Sequence, residues 1–378
     1  MKNRIDKLAA IKRAKNIDAF LITSLASLKY LSGYFFYFEY GISPFHLLPA
    51  ALVVADKKQN GMLVLADNEM QQSANIDSSI AIKPYESYVY KKPIAYTEQF
   101  IFQLHQAFKE AKIKKGRLGV ELNALPASVL LWLNAQYPEI EPVDIAPEIT
   151  ELRIIKDEDE IECIQQAAHL SDIGQAAVLR LAKAGMSELE LFNLVRREME
   201  EAVGTRVPLM ADFVSGTATA GGGGLPTNKI INKGDIILTD LTPCPKGYWG
   251  DSCSTIVIGK PTKEQIKIFN IVNEALQIGI HTVRAGIQAK EVDIAMRQHL
   301  KSAGSFEHHG GHGVGVVYHE EPRITPYNTM VLQAGMVIAL EPAIYKNKYG
   351  IRLEHLVAVT DMGCRVLTKF IHCFEQKK

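Results

Sequence analysis

The sequence has no surplus of either charge and no long apolar run. Its 378 residues contain 42 lysines and arginines against 42 aspartates and glutamates. Proteins that bind nucleic acid or anionic membranes usually carry a basic surplus, so we expect neither partner. No segment reaches the roughly 18 consecutive apolar residues that a membrane-spanning helix needs. The charged N-terminus also lacks the apolar core of a signal peptide.

Cysteine is scarce and lacks C-x-x-C spacing. The five cysteines are Cys163, Cys244, Cys253, Cys364 and Cys373. An odd number at irregular spacing predicts reduced thiols and a cytoplasmic location rather than a disulfide framework. Cys244 and Cys253 lie close to acidic residues in the sequence. We expect both to be buried thiols and not metal ligands, because oxygen donors dominate that region.

The length and the hydrophobic pattern predict two domains. Residues 1–150 have the pattern of a small α/β domain. Its predicted elements are a helix over 5–15, strands over 19–24 and 117–122, and helices near 97–114 and 126–135. A hairpin is expected between LLPAALVVAD and GMLVLADN, because the connection KKQNG contains the strong turn signal Asn60-Gly61. The segment 142–160 is expected to cross into a second domain, residues 151–378.

The second domain shows one pattern twice: two helices, followed by a hairpin that carries acidic residues. In the first pass an amphipathic helix runs from about Ile161, and the next helix begins at the capping box Ser187-x-x-Glu190. In the second pass the helices begin at Thr262-x-x-Gln265 and near Ala289. The repetition predicts an α/β (α+β) domain with pseudo-twofold symmetry and a site between its halves.

Five residues with metal-binding side chains lie between positions 240 and 354: Asp240, Asp251, His312, Glu341 and Glu354. The acids form two pairs, each around a turn. Opposed residues of an antiparallel hairpin have a constant index sum, which is 491 for Asp240 with Asp251 and 695 for Glu341 with Glu354. The midpoints fall inside the two turns, so each pair is expected to face across its hairpin. The glycines of the His-rich loop 307–322 would let His312 approach them.

Four carboxylates in one site repel each other unless a cation is shared between them. Four carboxylates and one imidazole form a hard, oxygen-rich donor set, which suits manganese or cobalt, with zinc and iron as alternatives. Two divalent ions would neutralise the acids and lower the pKa of a bridging water. The pattern therefore predicts a two-metal hydrolytic centre.

The pattern D-x10-D, GHGxG…HEEP and EP…GxRLE resembles the pita-bread metallopeptidases, the family of methionine aminopeptidase, aminopeptidase P and prolidase. Residues 1–150 resemble the N-terminal domain of the creatinase/prolidase branch, and TELRIIKDEDEIECIQQAA resembles the start of its catalytic domain. The resemblance implies a pita-bread fold over 151–378, a homodimer and a short peptide substrate. It implies hydrolysis of N-terminal peptide bonds, in particular Xaa-Pro bonds, of the aminopeptidase P or prolidase type.

The resemblance also assigns roles to matching positions. Asp240 would bind one metal ion, His312 and Glu341 the other, and Asp251 and Glu354 would bridge the two ions. Glu341 would also shuttle the proton from the attacking water to the leaving nitrogen.

The resemblance also suggests roles near the substrate for five further residues. His319 would contact the scissile carbonyl and its oxyanion, and His308 would contact the substrate. Arg352 would either contact substrate or form a structural salt bridge. The aromatic stretch 34–40 would be plain core, or Tyr37 and Tyr40 would line the pocket of a neighbouring subunit.

One departure from the family pattern separates the functional hypotheses. Where the branch usually has a histidine, this sequence has Gly223 within the run 221–224, and no histidine occurs between His169 and His281. The run would leave a flexible wall without side chains. The change is compatible with a second hypothesis, a C–N hydrolase or lyase that acts on a small C–N compound. The intact ligand set disfavours a third, a non-catalytic peptide-binding module.

Overall fold

The computed structural model describes residues 4–37, 47–55, 61–70 and 76–376. The chain divides into two compact units, Met1–Arg153 and Ile154–Lys378. The division falls inside the segment 142–160, which the sequence assigned to the crossing. Within the described ranges, no helix combines the length and the apolar character needed to span a membrane.

The first unit is built on one mixed sheet with the strand order β4-β3-β2-β1-β5-β6. Its strands are β1 (Ala19–Ile22), β2 (Ala50–Val54), β3 (Gly61–Ala66), β4 (Ala81–Tyr85), β5 (Gly116–Val120) and β6 (Ile140–Asp144). Its helices are α1 (Leu8–Lys15), α2 (Leu25–Ser32), α3 (Tyr96–Glu110), α4 (Ala127–Gln136) and α5 (Ala146–Ile154). The antiparallel pairing of β2 with β3 confirms the predicted hairpin. Residues 56–60 of its turn, including Asn60, lie outside the described residues.

The second unit repeats the helix–helix–strand order, as the sequence indicates. The first pass consists of α6 (Glu158–Leu181), α7 (Glu188–Val203), β7 (Leu209–Ser215), β8 (Ile236–Pro243) and β9 (Cys253–Val257). The second consists of α8 (Lys263–Thr282), α9 (Ala289–Leu300), β10 (Gly311–Gly313), β11 (Glu320–Ile324), β12 (Val337–Leu340), β13 (Ala343–Lys346), β14 (Tyr349–Arg352), β15 (His355–Val359) and β16 (Cys364–Val366). The mixed α/β architecture agrees with the prediction.

Each half of the second unit has its own apolar core. The helices α6 and α7 pack against β8 and β9 through residues such as Val178, Val195 and Leu241. The helices α8 and α9 pack against β12 and β15 through residues such as Leu276 and Met296. The strands form sheets of order β7-β8-β9 and β11-β10-β12-β15-β16, with β13 and β14 as a separate pair.

The helix starts follow the capping signals of the sequence. The capping box of α8 is complete, since Thr262 and Gln265 each bond the backbone of the other. Ser187 accepts the N–H of Glu190 and caps α7 as predicted. The box that opens α6, formed by Asp157 and Glu160, was not predicted.

The two predicted hairpin registers have different outcomes. The sum of 695 is confirmed on both sides of the glutamates, with Leu340 opposite His355 and Ala343 opposite Arg352. The sum of 491 is wrong, because Asp240 lies opposite Cys253, which makes the sum 493. Asp251 is therefore a diagonal neighbour of Asp240, on the same face two positions away.

Residues that precede α6 are anchored deep in the second unit. The ammonium of Lys156 lies 3.0 Å from the carboxylate of Glu320 on β11, and both side chains are almost fully buried. The backbone N–H of Lys156 also donates to the carbonyl of Gly335. The start of this unit is thus bonded to residues far along the chain.

Candidate metal centre

The backbone brings all five predicted ligands to one region of the second unit. Asp240 lies in the middle strand of the sheet β7-β8-β9, and Asp251 lies just before β9. Thr242, on the same face of β8 as Asp240, donates its hydroxyl to Asp251 at 3.0 Å. Glu354 follows β14, and its N–H donates to the carbonyl of Cys253 at 2.8 Å, which joins the two hairpins.

His312 is the central residue of the short strand β10, between β11 and β12. A Cβ at Gly311 would lie 2.0 Å from the carbonyl oxygen of Ala339, and one at Gly313 would lie 2.3 Å from that of Glu321. The sequence G-H-G therefore reflects close backbone approach on both sides of the histidine. The Nδ1–H of His312 donates to the carbonyl of Gly313 at 3.1 Å. This bond leaves the Nε2 lone pair directed at the acids.

The distances fit ligands that share a cation. Nε2 of His312 lies 3.6 Å from Oδ2 of Asp251 and 3.7 Å from Oε1 of Glu341. Ligand atoms of Asp251, His312 and Glu354 all lie within 4.8 Å of one another. Two donors that bind one ion at about 2.1 Å are separated by roughly 3 to 4 Å, longer than a hydrogen bond. The separations match shared coordination better than direct bonding between the ligands.

The electrostatics also favour a cation. Burial, and then repulsion from the neighbouring acids, raises the pKa values of both Asp251 and Glu354 well above the usual range. Oδ1 of Asp240 and Oε2 of Glu354 are buried without a hydrogen-bond donor among the described residues. Burial lowers the pKa of His312 to about 3, so the imidazole is in its neutral, ligating form. The residues fit divalent ions held by oxygen donors and one imidazole.

Glu341 has a different environment from the other acids. Burial acts to raise its pKa, but a hydrogen bond from His309 and the charge of Arg352 outweigh burial and lower the pKa to about 2. Nε2 of His309 lies 2.9 Å from Oε1 of Glu341. His309 also forms a close group with His312 and His319, which was not predicted from the sequence. The histidine-rich composition of the loop was the signal for it.

Arg352 is buried beneath the acids, and its contacts support a salt bridge. Its guanidinium donates to Oδ2 of Asp240 at 2.8 Å and to Oδ2 of Asp212 at 2.9 Å. Its Nε donates to the sulfur of Cys253 at 3.3 Å. Burial raises the pKa of that thiol well above its ordinary value, so Cys253 is a protonated packing residue, as expected. Cys244 is also buried.

His308 and His319 lie on the pocket side of the ligands. Nδ1 of His308 faces the carbonyl of His309 at 2.7 Å, so Nε2 is left to accept the hydroxyl of Tyr345 at 2.9 Å. The centroids of the His319 and His312 rings are 4.2 Å apart, and the two ring planes meet at 70°. Burial lowers the pKa values of both His308 and His319, which favours neutral imidazoles. Tyr345 was not predicted; it connects His308 to Arg352 through a 3.3 Å hydrogen bond.

These residues line a cavity of about 1290 Å³ in the second unit. The polar floor consists of Asp240, Asp251, His312 and Glu341, with His308, His309, His319, Tyr345 and Arg352 around it. Apolar residues line another part, among them Phe192, Leu209, Met210, Leu225 and Pro226. A cavity with a polar, ligand-bearing floor and apolar walls is typical of a site for a small organic molecule or short peptide.

Gly221, Gly222 and Gly223 line the cavity, and the glycine run 221–224 is tethered by hydrogen bonds. The carbonyl of Gly222 accepts from Arg352 at 2.7 Å, and the N–H of Gly224 donates to Asp212 at 2.8 Å. The carbonyl of Gly224 accepts the N–H of Phe213 at 2.7 Å. The wall lacks side chains as predicted, but these bonds fix its backbone, which corrects the expectation of a flexible wall.

Tyr37 and Tyr40 belong to the first unit. Tyr37 is half-buried, and its ring packs edge-on against Phe35 with centroids 5.7 Å apart. Tyr40 lies outside the described residues. Their predicted contact with substrate in a dimer stays a prediction.

Comparison with known proteins identifies the family. A model of the creatinase/prolidase N-terminal domain matches residues 4–155, and a model of metallopeptidase family M24 matches residues 162–361. The chain belongs to metallopeptidase family M24. Members of family M24 use divalent metal ions, which agrees with the donor set described above.

Two Xaa-Pro dipeptidases are similar to this chain, and one of them matches over both units. An Xaa-Pro dipeptidase of Pyrococcus horikoshii is 29% identical over 98% of this chain and 97% of its own length. One from Pyrococcus furiosus is 36% identical over 58% of this chain and 65% of its own length.

Solved structures show the same architecture. An X-Pro aminopeptidase from Thermotoga maritima superposes with a TM-score of 0.83 at 26% identity, over 99% of this chain and 100% of that one. A prolidase from Pyrococcus horikoshii OT3 superposes with a TM-score of 0.80 at 27% identity, over 97% and 98% of the two chains. The creatinase-like domain followed by an M24 pita-bread domain is therefore the fold of this protein.

Proposed function

We propose that this protein is a metal-dependent peptidase that hydrolyses the bond between an N-terminal residue and a following proline. The observation that carries the proposal is the buried group of Asp251, His312 and Glu354, whose ligand atoms converge within 4.8 Å in the M24 domain. The proposal is supported by relatives over nearly the whole chain that are described as Xaa-Pro dipeptidases or X-Pro aminopeptidases. The alternative of a C–N hydrolase or lyase is not favoured, since the relatives compared above are peptidases.

The ligands are proposed to hold two divalent ions. Asp240 would bind one, His312 and Glu341 the other, and Asp251 and Glu354 both. The ions, when bound, would supply Lewis-acid activation of water and of the scissile carbonyl. We favour manganese for this oxygen-rich set, with cobalt, zinc and iron as alternatives.

The protein's own groups would perform the proton transfer and the positioning. Glu341, held by the hydrogen bond from His309, would take a proton from the attacking water and deliver it to the leaving nitrogen. His319 would donate to the developing oxyanion. His308, oriented by its bond to Tyr345, would contact the substrate beside the cavity floor.

Three further expectations belong to this proposal. We propose a homodimer and a cytoplasmic location, and we propose that Tyr37 and Tyr40 contribute to the substrate pocket. Light scattering measures the mass of the particle in solution. If the kinetics of Tyr37→Ala and Tyr40→Ala are those of the wild type, the role of both tyrosines is excluded.

The test is a matched panel of Xaa-Pro and Xaa-Pro-Yaa peptides, each with an Xaa-Ala control. The protein is stripped of metal and reloaded with manganese, and the stripped protein and Asp251→Ala serve as controls. Cleavage restricted to Xaa-Pro dipeptides is the prolidase outcome, and cleavage of Xaa-Pro-Yaa is the aminopeptidase P outcome. A protein that holds two ions and cleaves no peptide would contradict the proposal.

A further inference from the structure

Two acids lie directly opposite each other beside the metal centre. Asp212 on β7 pairs in register with Asp240 on β8. Like charges at directly opposed positions of a sheet destabilise it unless a cation lies between them. Arg352 is that cation, since its Nη2 donates to Oδ2 of both aspartates, at 2.9 and 2.8 Å. Asp240 is a proposed metal ligand, whereas Asp212 has no assigned role.

Asp212 also explains why position 223 has no side chain. A Cβ at Gly223 would lie 2.1 Å from Oδ2 of Asp212 and 2.3 Å from its Cγ. The φ angle of Gly223 is not positive, so the backbone does not require glycine. The space is what excludes a side chain. Asp212, Gly223 and Arg352 are therefore one interlocked unit beside Asp240.

We propose that Asp212 is a positioning residue for the metal ligand Asp240. By accepting one hydrogen bond from Arg352 and offsetting its charge, Asp212 prevents Arg352 from pairing with Asp240 alone. The Oδ1 atom of Asp240, which is buried without a donor among the described residues, stays available to a cation. This inference rests on the metal site of the proposed function.

The charge of Asp212 affects how strongly the site binds a divalent ion. Without Asp212, Arg352 is a less compensated positive charge beside the site, which repels a divalent ion and holds Asp240 more tightly. In a water-like medium, removing one negative charge several ångströms from a divalent ion weakens binding on the order of tenfold. The effect falls on metal affinity, before any substrate is present.

The first test is titration calorimetry of the metal-stripped protein with Mn²⁺. Asp212→Asn keeps the shape of the side chain and an acceptor for the N–H of Gly224, but removes the charge. We expect its Mn²⁺ affinity to fall about tenfold. The control is Asp361→Asn, which removes one exposed acid of the same unit that does not line this cavity. We expect it to stay within about twofold of wild type.

The second test is a double-mutant cycle, which a general effect of charge would not reproduce. Gly223→Ala forces the Asp212 carboxylate away from Arg352, so this variant should lose about as much Mn²⁺ affinity as Asp212→Ala. In the Asp212→Ala background, Gly223→Ala should have no further effect, because the blocking atoms are gone. Thermal unfolding of the stripped variants monitors whether each remains folded.

The outcomes separate the two proposals. If the wild type binds Mn²⁺ and Asp212→Asn binds equally well, the role of Asp212 is overturned and the metal site stands. Additive effects of Asp212→Ala and Gly223→Ala would also overturn it. A wild-type protein that binds no divalent ion overturns the metal site and this inference together.

Discussion

The orientation of the Glu341 carboxylate depends on a hydrogen bond from His309. His309 lies 2.9 Å from the carboxylate through Nε2, while its Nδ1 faces the guanidinium of Arg323 at 3.5 Å. A guanidinium can only donate, so Nδ1 accepts from Arg323 and Nε2 donates to Glu341. The bond therefore fixes the orientation of the acid proposed to move the proton.

We expect His309→Ala to lower kcat about tenfold with little change in KM, because residues that orient a ligand or a proton shuttle typically contribute 10- to 100-fold. His309→Gln, whose amide can donate from a similar position, should retain most of the activity. The measurement is steady-state kinetics on an Xaa-Pro peptide with the manganese-loaded enzyme. Equal losses in the two variants would exclude the hydrogen bond as the cause.

Asp251 is the ligand whose loss should affect both ions. It is buried, and it lies close to His312 on one side and bonds Thr242 on the other. We expect Asp251→Ala to bind neither ion tightly and to lose more than the roughly 100-fold in turnover that an outer partner contributes. Metal content per chain, measured by mass spectrometry after gel filtration, tests this. The control is Asp361→Ala, which removes an exposed acid of the same unit. If Asp251→Ala retains two ions, the assignment of Asp251 as a ligand of both ions is overturned.

The positions of the proposed ligands were predictable because their sequence signals are local. The motifs around His312, Glu341 and Glu354 lie within short segments, and hairpin geometry gives their relation. Asp212 was not predictable, because its contact with Arg352 joins positions 140 residues apart. Such a contact depends on how two separate sheets meet, and no single segment records that.

The glycines of strand β10 cannot be replaced by a larger residue without a clash with the backbone of a neighbouring strand. A methyl group at Gly313 would press on the backbone of Glu321, which cannot move aside as a flexible side chain can. We expect Gly313→Ala to lower the free energy of unfolding of the metal-free protein by about 3 kcal/mol, the upper end of the range for overpacking. Urea unfolding measures it. Gly363→Ala, where nothing lies within 4 Å, should be nearly neutral; equal stability of both variants would refute the argument.

The two hairpins show when a register can be predicted from sequence. The connection between β13 and β14 is two residues long, so the turn fixes the pairing and the sum of 695 holds. The loop between β8 and β9 forms hydrogen bonds with distant segments of the chain. The N–H of Trp249 donates to the carbonyl of Gly315, and the hydroxyl of Tyr248 bonds Glu160. Because distant segments shape this loop, its midpoint does not mark the register, and the prediction failed by two positions.

The two units offer separate reporters of metal binding. The sequence has two tryptophans, Trp132 in the first unit and Trp249 in the second, and all proposed ligands are in the second. A ligand that binds only the folded form at 100 times its Kd stabilises that form by about 2.7 kcal/mol. In Trp132→Phe the remaining tryptophan, Trp249, reports the unfolding of the second unit by its fluorescence. We expect manganese to raise the unfolding temperature of this variant. The transition of Trp249→Phe should shift little, and equal shifts would mean that the units unfold as one.

The fold as a whole was predictable at the level of domains, since the repeated order of helices and strands is visible in the hydrophobic pattern. Shorter elements were not. Helix α2, for example, has only eight residues, and its capping residue Ser24 has no acid or amide three positions on to form a capping box. Such short elements depend on burial against the sheet more than on their own sequence.

The buried pair of Lys156 and Glu320 limits where this protein can be divided. A catalytic fragment cut at residue 162, where the match to family M24 begins, would lose Lys156 and the capping residues of α6. Glu320 would then be a buried carboxylate that lacks the ammonium of Lys156, a defect that typically costs about 3 to 5 kcal/mol. A soluble fragment should therefore start at or before Ile154, so that the segment between the two units stays with the second.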